Sequence, residues 1–92
     1  MGSIRFEGVR FSAFPNDHSP AHIHGKYGSG VIIVEIYRDR TVALANRRRA
    51  IKPRTMKVND IKKVLLAAEE CVDELWQLWE EARGKPAKND RR

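Results

Sequence analysis

Three histidines, the only ones in 92 residues, fall within seven positions of one another in Asp17-His18-Ser19-Pro20-Ala21-His22-Ile23-His24. Imidazole titrates near neutral pH, so one ring can take a proton while a neighbour gives one. Metal-free RNA cleavage needs such a pair, together with cations that offset the charge developing on the phosphorane. His18, His22 and His24 are therefore candidate catalytic residues. Lys26, Arg38 and the run Arg47-Arg48-Arg49 are candidate anion-binding cations, and Tyr27 offers a ring on which a base could stack. A second chemistry fits the same residues. Neutral imidazoles at alternate strand positions suit zinc or another borderline metal, and a catalytic zinc takes three protein ligands and a water. His22 and His24 would then ligate, with His18 or Glu35 as the third, and Asp17 would orient one ring. A third role is structural, with the rings satisfying loop backbone groups or lining a partner interface. No flanking signature of the His-Glu-x-x-His kind chooses among them. Whether the chain is an enzyme stays open at this point, and any cofactor the pattern takes would be zinc or another borderline metal.

These rings need elements to aim them. If Ala21 to Tyr27 is extended, His22 and His24 point to one side with Cα atoms about 6.6 Å apart, and Ile23 points into a core. His18 belongs to the preceding segment, Phe14 to Pro20, whose Pro, Asn, Asp and Ser residues form turns. Upstream, Ile4 and Phe6 share one strand face. The apolar parity then shifts across Glu7-Gly8 to Val9, Phe11 and Ala13, as at a tight turn or a bulge. Downstream, Gly28-Ser29-Gly30 turns the chain into Val31 to Tyr37, a strand rich in β-branched residues. Asp39-Arg40 then turns it into Thr41 to Ala45. Asn46 to Lys57 is basic and irregular, and Pro53 opposes a helix there. A long helix follows with Asn59 or Asp60 as its cap. Its apolar stripe runs through Ile61, Leu65, Ala68, Val72, Leu75, Trp79 and Ala82, widened by Val64, Cys71 and Leu78.

The expected fold class is α+β, a small antiparallel β-sheet packed on one long C-terminal amphipathic helix. Residues 1–83 would form the single domain and residues 84–92, after Gly84, a flexible basic tail. One sheet face and one helix stripe make a thin core, which a homodimer or a bound partner would help to stabilise. Cys71 lies on the apolar side of the helix and reads as an inert buried thiol. Trp76 and Trp79 read as core or interface anchors.

The composition, 33% charged and 41% hydrophobic, is that of a folded protein, and no apolar run approaches the length of a membrane span. The first residues lack the pattern of a secretion signal, and the single cysteine forms no intrachain disulfide. A reducing, cytoplasmic setting is the expectation. The net charge of +6 is uneven. Residues 1–58 hold eleven Lys/Arg against four Asp/Glu, a net +7, while residues 59–92 hold seven against eight, a net −1. An anionic partner such as RNA suits the first part.

Asn16-Asp17-His18-Ser19-Pro20-Ala21-His22-Ile23-His24, with Tyr27-Gly28 after it, resembles a bacterial family known as domain of unknown function 4160. Members are similar in an Asn-Asp-His-x-Pro-x-His-x-His segment after an aromatic strand, and in a C-terminal helix carrying a Trp, here Trp79-Glu80. The resemblance covers most of residues 3–83 and departs at Ala21, where a second proline is common. It implies a bacterial cytoplasmic protein whose gene neighbours another small gene, in arrangements similar to toxin–antitoxin pairs. It assigns no catalytic residue. The expected function is a toxin–antitoxin-type component that binds or cleaves RNA through the histidine cluster. The alternatives are a non-enzymatic antitoxin-like or adaptor module that docks a small partner protein through its helix and tryptophans, and a small metal-binding protein.

Overall fold

The computed structural model describes residues 2–15 and 20–82. Six strands, β1 (Gly2–Phe6), β2 (Val9–Ala13), β3 (His22–Tyr27), β4 (Gly30–Ile36), β5 (Val42–Leu44) and β6 (Ile51–Lys52), precede two helices, α1 (Val58–Glu70) and α2 (Val72–Ala82). The strands form one antiparallel sheet in the order β1-β2-β3-β4-β5, with β6 also paired to β4. The α+β class is as expected from the sequence. So is the β1–β2 hairpin, where Phe6 faces Val9 across a two-residue turn. Glu7 and Gly8 both have positive φ, 52° and 82°, the handedness that matches the twist of a two-residue hairpin.

The second edge of the sheet is built from two pieces. β5 faces Val34 to Ile36, and β6 faces Val31 and Ile32. Between them Ile33 holds both: its N–H donates to the Ala50 carbonyl (2.8 Å), and its carbonyl accepts from the Ala45 N–H (2.9 Å). Residues 46–49 therefore loop out of an otherwise continuous edge. The two residues of β6 lie inside the stretch that reads as irregular, because so short a strand shows no period.

The expectation of one long helix is corrected. The chain leaves helical geometry at Cys71 (φ −116°, ψ 30°), and α2 starts at the next residue. Ladder bonds continue through the break, from Cys71 N–H to the Ala67 carbonyl and from Leu75 N–H to the Cys71 carbonyl, so the two helices follow one another without a gap in the ladder. A straight helix loses contact with a twisted sheet over this length; the break re-aims the second half. α1 packs on β3, β4 and β5, and α2 mainly on β1 and β2. The cap is also corrected: Lys57 holds that position without a side-chain hydrogen bond, and Asp60 sits in the first turn, where its charge suits the helix dipole. Val64, Ala67, Ala68, Cys71, Val72, Leu75, Leu78 and Trp79 are buried against Phe11, Ile23, Ile32 and Val34. At Gly25, a Cβ would stand 2.7 Å from Val64 Cγ1 and 3.2 Å from Phe11 Cε1, which is why the strand has no side chain where α1 crosses it.

Both helices cover the face that carries Phe11, Ile23, Gly25, Ile32 and Val34. The alternate residues, Ser3, Arg5, Arg10, Ser12, His24, Lys26, Val31, Ile33 and Glu35, project from the other face, which α2 reaches only at the His22 end, through Trp79. Among the described residues no helix is long and apolar enough to cross a membrane.

Candidate functional site

The strand β3 places His22 and His24 on the same side, as their spacing predicts, with ring centroids 5.5 Å apart. Their access differs. His22 is 2% exposed: its Nδ1–H donates to the Pro20 carbonyl (2.9 Å), and its ring lies 5.3 Å from that of Trp79 on α2. His24, one pleat further on, forms part of the wall of a cleft of about 510 Å³ on the face turned away from α1, with Ser3, Arg10, Ser12, Phe14, Lys26 and Val31. The rings of Phe14 and His24 meet in an edge-to-face arrangement at 4.8 Å, and Phe14 is 39% exposed. His18 and Asp17 lie outside the described residues.

Register then assembles a set of cations. Arg5 faces Arg10, Arg10 faces Lys26, Lys26 faces Val31 and Val31 faces Lys52, one row crossing five strands. All four cations are exposed, and none has a carboxylate within ion-pair reach among the described residues. The row above it reads Ser3, Ser12, His24, Ile33. The single acid among the described strand residues of this face is Glu35, opposite His22; it accepts a hydrogen bond from the Tyr37 hydroxyl (2.7 Å), which raises the phenol pKa.

The remaining candidates are dispersed. Tyr27 falls on the opposite face by parity, with Lys63 Nζ 5.5 Å above its ring. Arg38 stacks 4.0 Å over Trp76 and approaches Glu80 at 3.8 Å, while the Trp76 indole N–H donates to the Tyr37 carbonyl (3.1 Å). Beside it Arg40 forms a two-pronged ion pair with Asp73, which holds the Asp73 carboxyl below its ordinary range. These contacts clamp the β4–β5 turn onto α2, so Arg38 serves the fold. Arg47, Arg48 and Arg49 sit in the loop that leaves the β5–β6 edge. Cys71 is buried, and burial pushes its thiol up to about 11, far from a nucleophile's range. Among the described residues no group of three or more His, Cys, Asp or Glu side chains gathers as a metal site would need.

Of the candidate residues, Lys26 and His24 thus share one cleft, with His22 behind them. Arg5, Arg10, Ser3, Ser12, Phe14 and Lys52 complete that surface and carry no motif of their own. The alternation of β1 and β2 announces them as outward-facing, but only the pairing register joins them to Lys26. No protein family, curated protein or solved structure matches the chain.

Proposed function

We propose that this protein binds RNA on the face of its sheet turned away from α1, with Arg5, Arg10 and Lys26 on phosphates and the Phe14–His24 pair against a base. The observation that carries this reading is the pair of successive like-charge cross-strand partners, Arg5 opposite Arg10 and Arg10 opposite Lys26. Like charges directly opposite one another weaken a sheet, by roughly a few tenths of a kcal/mol each. An anionic ligand laid over the row converts that repulsion into binding. The aromatic pair at the side of the row supplies the sequence-tolerant stacking contact that such surfaces combine with cations.

Binding is favoured over cleavage by the positions of the two described imidazoles. Paired acid–base work needs both at the scissile phosphate, and His22 is withdrawn with its Nδ1 held by Pro20. The adaptor alternative draws less support, since Trp79 is buried and Trp76 is engaged by Tyr37 and Arg38. A toxin–antitoxin-type role, which the resemblance implies, would use this same surface.

Fluorescence anisotropy with a labelled RNA at low salt tests the proposal. Wild type binds; Arg10→Gln, Lys26→Gln and His24→Ala each weaken binding several-fold, and Lys62→Ala, on the exposed side of α1, does not. Absence of binding by the wild type, or equal loss in the Lys62 variant, refutes it. Loss of intact RNA that stops with His24→Ala would replace binding by cleavage.

A further inference from the structure

The cation row on the open face does not end at the sheet. Lys52, its last member, ends β6 three residues past the loop of residues 46–49, and Arg54 follows two residues later. Arg47, Arg48, Arg54 and Asn46 rim a hollow of about 300 Å³ at this edge. The loop is pinned at its base by the two Ile33 hydrogen bonds and closed by the Ala50 N–H on the Arg47 carbonyl (3.2 Å). Three adjacent arginines are thus held on a short, anchored projection, and no described carboxylate pairs with any of them. By contrast, Arg38 and Arg40, on the turn facing α2, both have acidic partners. Arg47, Arg48 and Arg49, with no described carboxylate partner, continue the row.

Resting on the RNA-binding reading above, we propose that the ligand is single-stranded RNA that crosses the sheet at right angles to its strands, from Arg5 at the β1 edge to the Arg47-Arg48-Arg49 loop at the other. Four inter-strand steps carry the row about 19 Å, and the loop extends it, a span that suits a site of at least about four nucleotides. The aromatic pair decides strandedness. Phe14 and His24 offer ring surface beside the phosphate row, and only an unpaired base has a free face to lay on it; in a duplex the faces are stacked. The pinned loop binds at low entropic cost, because its arginines are gathered before the ligand arrives.

The test compares a single-stranded RNA of about ten nucleotides with a blunt RNA duplex of the same length, across a salt series. With Arg5, Arg10, Lys26, Lys52, Arg47, Arg48 and Arg49 each on a phosphate, the slope of log affinity against log salt for the single strand is about −5. Replacing Arg47, Arg48 and Arg49 together by Ala brings it to about −3, whereas Lys62→Ala leaves it unchanged. Phe14→Leu, which keeps an apolar side chain in place, weakens single-strand binding about tenfold without changing the slope. Circular dichroism confirms that each variant is folded. A wild type that prefers the duplex, or a triple variant with the wild-type slope, overturns the single-strand track while leaving RNA binding intact. Failure of the wild type to bind either RNA at low salt sinks the RNA-binding reading itself.

Discussion

His22 and His24 are two residues apart and share a strand side, yet their burial separates their roles. His22 donates its Nδ1–H to Pro20 and packs against Trp79, so it acts as a brace between the sheet and α2. His24 reaches the cleft. His22→Ala removes a buried ring and its hydrogen bond, and is expected to cost about 2–4 kcal/mol, read by urea denaturation. His24→Ala leaves the unfolding free energy within about 1 kcal/mol of wild type. Equal losses at the two sites would show that both rings are structural. Clustering of the imidazoles and their common side are visible in the sequence. Access is not, because it depends on Trp79, 57 positions away from His22 in the chain. The same holds for Arg38, whose charge reads as available until Trp76 and Glu80 are seen around it.

At the scale of elements, the strands alternate clearly and their hairpins are announced by turn residues. The helix pattern is legible as a stripe, but its division at Cys71 is not. A 3.6-residue apolar stripe runs on through a single residue that leaves helical geometry, whereas the packing sets α1 on β3 to β5 and α2 mainly on β1 and β2. The site depends on this docking through Gly25, against which Val64 of α1 packs, on the strand that carries His24 and Lys26 on its reverse side. Gly25→Ala must displace Val64 or Phe11, a β-branched side chain and a ring within a closed core. The expected cost is about 1–3 kcal/mol. In a domain of this size that lowers the melting temperature by several degrees per kcal/mol. An unchanged melting temperature would show that α1 can ride further from the sheet than the packing indicates.

For the molecule as a whole, charge is sorted by layer. Acidic side chains of α1 and α2, including Glu69, Glu70, Asp73 and Glu74, are exposed on the helical side, and Arg5, Arg10, Lys26 and Lys52 on the sheet side. Two cross-strand like-charge pairs sit at the middle of the basic layer. A double-mutant cycle with Arg10→Gln and Lys26→Gln is expected to give a repulsive coupling of about 0.2–1 kcal/mol in the free protein, shrinking as salt is added. In the presence of RNA each single variant loses affinity. A coupling of zero at low salt would mean the two heads splay apart, and the row would no longer imply strain relieved by a ligand.

The amino-acid sequence by itself determined the α+β class, the hairpins, the histidine segment and the excess of positive charge in residues 1–58, because composition, alternation and turn chemistry are local properties. Tertiary structure alone decided which cations stand together. Arg5, Arg10, Lys26 and Lys52 are dispersed over 48 positions and become one row only through strand register, while Tyr27, next to Lys26 in the chain, and Arg38 are turned to other duties. Pairing between strands is set by long-range packing of their core faces, and that selection is what converts a scattered charge excess into a surface.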